Sequence, residues 1–116
     1  MQYMFLIYGD EQDLNALTPV EQEAMMADYF AFSQAVIEQG IMIAGDELKP
    51  TTTATTLRPR ASQLLTTDGP YAETKEQLGG FYILECQDMA EALVWAAKIP
   101  GAHTGSVEVR PVVNFG

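Results

Sequence analysis

Residues 18–40 constrain this chain most. Thr18-Pro19-Val20-Glu21 is a capping box with proline at the first helical position, and Gly40 stands where a helix running to about Gln39 would end. Met25, Tyr29, Phe32 and Val36 form one stripe at helical spacing, and Met26, Phe30 and Ile37 form a second beside it. Ala24, Ala27, Asp28, Ala31, Gln34, Ala35 and Glu38 take the opposite side. A broad aromatic and methionine face of this kind is expected to cover a sheet rather than to line a cofactor pocket.

Short apolar runs on either side supply that sheet. Tyr3-Met4-Phe5-Leu6-Ile7-Tyr8 reads as a strand packed on both faces, and Gly9 to Leu17 as an acidic connection. Ile41 to Gly45 reads as a second strand, ending in Asp46-Glu47. Thr51 to Leu57 is threonine-rich, as suits a strand with one wet face, and Pro59-Arg60-Ala61 turns it into Ser62 to Thr67 as a hairpin. Phe81 to Cys86 is another strand. Asp88-Met89-Ala90-Glu91 then caps a second helix, with Leu93, Ala96 and Ala97 on its buried side and Trp95 off that stripe. Pro100-Gly101 ends it, and Val107 to Arg110 alternates as a half-buried strand.

The order is β-α-β, a hairpin, then β-α-β. It predicts one α+β domain over residues 1–116 with both helices on one sheet face. If Val107 and Val109 meet the helices, Glu108 and Arg110 point into whatever covers the other face. A second copy related by a two-fold axis is the expected cover, so the chain is expected to be a homodimer.

Charge narrows the function classes. The net charge is −10, and nine acidic residues precede Lys49 with no Lys or Arg among them. Such a surface repels phosphate backbones, so no nucleic-acid partner is expected. No apolar run approaches the roughly 18 residues of a membrane span, so no membrane partner is expected either. Cys86 is the only cysteine and lies in an apolar run, where a buried, inert thiol is expected. With no secretory signal visible, a cytoplasmic protein is the default expectation. There is no Cys/His cluster, no His pair at helical spacing and no calcium-loop periodicity, so neither a metal nor another cofactor is expected.

Between the hairpin and the Phe81 strand lies Thr66 to Phe81, a turn, charged groups and a double glycine. Gly69 tolerates almost any φ, Pro70 fixes φ, and the Asp68 carboxylate is placed to bond nearby backbone N–H groups. Gly79-Gly80 lacks phosphate-loop spacing and reads as a close backbone approach or a bulge at a strand start.

These residues carry a resemblance. Met4 to Gly9, Thr67-Asp68-Gly69-Pro70-Tyr71-Ala72-Glu73-Thr74-Lys75-Glu76, Gln77 to Tyr82, Glu91-Ala92-Leu93 with Trp95-Ala96-Ala97, and Gly105 to Pro111 are similar to the DGPF branch of the YCII-related proteins. Tyr71 stands where the branch name has Phe, and Asp46 where Gly is usual before the acid at Glu47. The resemblance implies a ferredoxin-like sandwich paired into a dimeric α/β barrel. It implies no settled biochemical function. Genes of the branch often lie beside extracytoplasmic-function sigma factors, which points to a stress or regulatory setting. Some distant relatives use a His–Asp pair on small aromatic substrates. This chain has one histidine, His103, late in a loop, so that pair does not carry over.

The candidate constellation is Asp68, Glu73, Lys75 and Glu76, with Glu47 and Arg110 from strand ends. Asp68 and Glu73 are the candidate catalytic acids, although Asp68 also suits a turn cap. Arg110 is the natural anchor for a carboxylate ligand through its fork of donors, or else an ion-pair partner for Glu47, Glu73 or Glu108. Lys75, Glu76 and Glu47 are further ligand-binding candidates. The first functional reading is a small-molecule binding or regulatory module with a pocket near Asp68–Glu76 and Arg110. The second is a small enzyme doing acid–base chemistry on a small organic substrate there.

Overall fold

The computed structural model describes residues 1–116. The chain runs β1 (Gln2–Gly9), α1 (Glu11–Asn15), α2 (Pro19–Glu38), β2 (Met42–Glu47), a 3-10 turn (Thr51–Thr53), β3 (Thr55–Arg60) and β4 (Gln63–Asp68). It continues through β5 (Gln77–Glu85), α3 (Met89–Ala96), a second 3-10 turn (Pro100–His103) and β6 (Ser106–Pro111). An antiparallel four-stranded sheet has the spatial order β2-β5-β1-β6, while β3 and β4 pair only with each other. The fold is α+β with an open sheet; this single chain does not close a barrel.

Local chemistry starts the helices where the sequence puts them. Thr18 Oγ1 accepts from the Glu21 N–H at 3.2 Å, and the Glu21 carboxylate accepts from the Thr18 N–H at 3.0 Å. That second bond holds the Glu21 carboxyl below its ordinary range. Asp88 Oδ1 accepts from the Glu91 N–H at 2.9 Å and opens α3. No helix is long and apolar enough to cross a membrane.

Period-two alternation decides what each strand buries. Tyr3 and Phe5 of β1 and Tyr82 and Leu84 of β5 pack beneath Phe32 and Val36 of α2, Ala92 and Ala96 of α3, and Ile99. Phe32 meets Tyr82 edge to face with ring centroids 5.0 Å apart, and the Tyr82 hydroxyl shares a 3.0 Å hydrogen bond with Ser33. Register slips between the pairs Ile7–Gly80 and Tyr8–Leu78, so the double glycine does mark a bulge. A Cβ on Gly105 would lie 2.1 Å from the Tyr8 carbonyl oxygen, so only glycine lets β6 start this close to β1.

Several expectations are corrected. β1 is covered on one face only, because both longer helices lie on the same side. The second stripe of α2 is not buried: Met26 and Phe30 are 72% and 68% exposed, since a straight helix turns only one stripe to a sheet. In α3 the buried positions are Ala92 and Ala96, while Leu93 is exposed and so is Ala97. Small residues beneath let α3 sit close to the sheet, and Trp95 fills the edge against Phe32. The acidic connection contains the short helix α1, capped by Asp10. The threonine run opens with a 3-10 turn, and β5 begins at Gln77, before Phe81.

The β3–β4 hairpin projects as an arm. Its presence gives a radius of gyration of 16.2 Å, against about 13 Å for a compact domain of this length. At the tip, Ala61 and Ser62 have φ of 44° and 64°. Asn and Gly normally fill that left-handed pair in a two-residue hairpin turn.

Replacing Ala61→Asn together with Ser62→Gly should relieve about 1–2 kcal/mol of backbone strain. Because the arm packs mainly on itself, the gain should appear as slower hydrogen exchange of β3–β4 amides, with little change in global melting temperature. Unchanged arm exchange would contradict the strain reading. A second test concerns Tyr29, whose hydroxyl accepts from the Gly101 N–H at 3.0 Å and ties α2 to the second 3-10 turn. Burial pushes the Tyr29 phenol up from 10.0. The folded state therefore holds that proton more tightly, and stability should fall as pH rises above about 10. In Tyr29→Phe this alkaline loss should shrink, while stability at neutral pH drops by about 1–3 kcal/mol from the N–H left without its partner. Denaturant titrations at pH 7 and pH above about 10 measure both effects.

Candidate functional site

Gly69, at φ 110°, turns the chain off the end of β4. Its N–H donates to the Ala54 carbonyl at 2.7 Å, and its carbonyl accepts from Thr56 Oγ1 at 2.9 Å. Arg58 Nη2 donates to the Tyr71 carbonyl at 3.2 Å. β3 therefore fastens the first half of the Asp-Gly-Pro segment.

Gln77 fastens the second half. Its Nε2 donates to the Thr74 carbonyl at 2.5 Å, and its Oε1 accepts from the Glu11 N–H at 2.9 Å. The Glu11 carboxylate accepts from the Thr51 N–H at 2.9 Å and from Thr51 Oγ1 at 2.8 Å. Segment 69–77 is thus held against α1 and the first 3-10 turn. These parts border an open depression of about 350 Å³ lined by Thr51, Thr52, Pro70, Glu73, Thr74 and Gln77, with Ala72, and Glu73 and Thr74 are exposed at its rim. Its polar wall is one carboxylate, hydroxyls and an amide. Such a wall offers acceptors to the N–H and O–H groups of a polyol, amine or amide.

Glu76 turns the other way. Its Oε1 accepts from Ser106 Oγ at 2.7 Å. Ser106 is opposite Tyr8, and Tyr8 opposite Leu78, on the sheet face that carries Met4, Leu6, Phe81 and Ile83. No helix of this chain covers that face. Arg110 stands there too, with Nε 2.5 Å from Glu108 Oε2, a bond that raises its already high pKa.

The expected constellation separates into parts. Glu73 lines the depression, Glu76 binds Ser106, and Arg110 takes Glu108 as its partner. Lys75 is exposed and makes no ion pair. Asp68 is exposed at the end of β4, and its carboxylate bonds no backbone N–H; the turn is secured by Ala54 and Thr56 instead. Glu47 ends the edge strand β2 opposite Gly80, on the helix side near Tyr29, whereas Arg110 lies on the other edge strand and the other face. Glu47 and Arg110 therefore cannot hold one ligand in a single copy.

Glu11, Thr51, Gln77 and Ser106 were not singled out by their sequence context. Glu11 sits among solvated acids and Thr51 within a threonine run. Gln77 and Ser106 fall within the segments that carry the family resemblance, which assigned neither a role. Cys86 is buried, and burial pushes its thiol up, as an inert role requires.

A larger depression of about 620 Å³ lies between α2 and α3, lined by residues including Asp28, Glu38, Trp95, Lys98 and His103. It is an open groove on the helix side of the sheet. Its one Lys already lies over Trp95, 4.8 Å from the ring centroid. The arm base is the stronger candidate, because backbone and side-chain bonds from four separate elements converge to shape it.

The whole chain, residues 1–116, matches the model of the YCII-related domain family. An uncharacterized protein of Rhizobium meliloti (strain 1021) is 43% identical over 117 residues, which cover 99% of this chain and 94% of that relative. The segment that shapes the depression lies inside both matches, and the chain belongs to the YCII-related domain family.

Proposed function

We propose that this chain is a small-molecule binding or regulatory module of the DGPF branch, acting as a cytoplasmic homodimer. The observation that carries the reading is the depression at the arm base, where Glu73, Thr51, Thr52, Thr74 and Gln77 face one space. A ligand with clustered donors, such as a small polyol or amine, suits that wall. The strand order β2-β5-β1-β6, with both longer helices on one face, supports a ferredoxin-like sandwich. Pairing through the bare face, lined by Met4, Leu6, Phe81 and Ile83, would complete a dimeric barrel. Arg110 then lies at the seam, with Nη donors beyond its Nε bond to Glu108.

A thermal-shift screen of polyols, amines, carboxylates and phenols tests the binding reading. A ligand present at one hundred times its dissociation constant should add about 2.7 kcal/mol of stability. Glu73→Gln should remove most of that gain while leaving the unliganded melting temperature nearly unchanged. If no compound in these classes stabilises the protein, or if Glu73→Gln leaves the gain intact, the site is misassigned. Light scattering at micromolar concentration should give about twice the chain mass of 12.7 kDa. A monomer there would end the pairing.

A second reading, acid–base chemistry on a small organic substrate, draws on the Ser106–Glu76 contact at 2.7 Å beside Tyr8. It expects Glu76→Gln or Ser106→Ala to abolish turnover of a screened substrate with folding and pairing intact. Without any turnover to lose, this reading falls.

A further inference from the structure

We propose that the β3–β4 arm of one copy clasps the exposed apolar flank of α2 in a second copy. The inference rests on the pairing proposed above and adds a contact which that pairing does not need.

Charge is the first argument. Residues 49–75 hold Lys49, Arg58, Arg60 and Lys75, four of the six basic side chains, against Asp68 and Glu73, a net of +2. The rest of the chain holds two basic and fourteen acidic side chains, a net of −12. The arm is a cationic projection on an anionic body. Of those four cations Arg58 and Arg60 lie on the arm itself, and none of the four forms an ion pair within its own copy. α2 has no basic residue and four acids, of which Glu23 lies on the flank that carries Met26, Phe30 and Ile37. Opposite potentials of this kind attract and orient two surfaces.

Apolar surface is the second argument. Register puts Leu57, Pro59 and Leu64 on one face of the arm, and Arg58, Leu65 and Arg60 on the other. Leu64 is 68% exposed and Leu65 46%. The arm's contacts are mainly between its own strands, with no substantial packing on any helix. An isolated two-stranded hairpin is at best marginally stable in water. This one also holds a left-handed Ala61-Ser62 turn. An ordered arm with leucines on both faces needs a surface outside its own copy. On α2, Glu23, Met26, Phe30 and Ile37 follow one another at helical spacing along the exposed flank. The arm face bearing Arg58, Leu65 and Arg60 matches that flank, one arginine to Glu23 and Leu65 to Met26 and Phe30. A six-residue strand spans about 20 Å, long enough to cross several turns of a helix.

Two variants, Leu65→Cys and Phe30→Cys, each combined with Cys86→Ala, are mixed with one of them fused to a larger tag. A short bis-maleimide then reports contact between copies. The clasp gives a cross-linked band of mixed size. Arg58→Glu with Arg60→Glu should weaken dimerisation by about ten-fold or more and flatten its dependence on salt. Circular dichroism checks that the variants keep the fold. A dimer with no mixed cross-link, whose affinity ignores the charge reversal, overturns the clasp and leaves sheet-face pairing standing. A chain that stays monomeric at every concentration overturns both.

Discussion

Burial on one side only is the constraint from which the rest of this molecule follows. The sheet alternates Tyr3 and Phe5 with Met4 and Leu6, and Tyr82 and Leu84 with Phe81 and Ile83. Both sets are apolar, yet the two longer helices cover only the first. Neither α2 nor α3 packs on the second. Fully burying a large apolar side chain is worth about 1.5–3 kcal/mol. The side chains on the bare face are already half-buried by their neighbours. Covering Met4, Leu6, Phe81 and Ile83 in two copies therefore gains on the order of 10 kcal/mol. Association itself costs about 4–15 kcal/mol. The bare face alone comes close to break-even, so added contacts from the arm would decide how tight such a pair is.

Much of the fold was legible because the deciding signals are local. The Thr18 capping box and the Asp88 cap each fix a helix start through hydrogen bonds to residues three positions away. The double glycine marked the bulge because glycine tolerates the irregular backbone of the skipped position, Gly79. The helix faces were less legible. On α2 two apolar stripes compete, and only the distance to the sheet selects Phe32 and Val36 over Phe30 and Ile37. On α3 hydrophobicity favours Leu93, but close packing on the sheet favours Ala92 and Ala96. Which of these wins depends on how near the helix approaches, and that is a tertiary quantity.

The site was legible in outline and not in detail. The Asp-Gly-Pro segment announced an ordered loop, and Glu73 does line a depression there. Asp68 carried the sequence signal, yet the bonds that secure the turn come from Ala54, Thr56 and Arg58, all on or beside β3. Glu11 and Thr51 are 40 residues apart, and nothing at that separation leaves a periodic trace. Face assignment also separates Glu47 from Arg110, because a strand's parity and its place in the sheet must both be known.

The arm and the depression at its base share one stretch of chain, so the proposed assembly and the proposed binding would be coupled. Gly69 and Tyr71 are bonded to Ala54, Thr56 and Arg58 at one end of the segment, and Gln77 binds Glu11 and Thr74 at the other. Pro70, Ala72 and Glu73, which line the depression, hang between those two anchors. The body anchor is fixed by the sheet, since Gln77 is already paired with Gly9. The arm anchor is only as firm as an exposed hairpin. Any contact that orders β3 and β4 also orders the wall of the depression, and a ligand that orders the wall steadies the arm by an equal free energy, since linkage is reciprocal. Under the proposed reading, a ligand on the wall and a second copy on the arm would each strengthen the binding of the other.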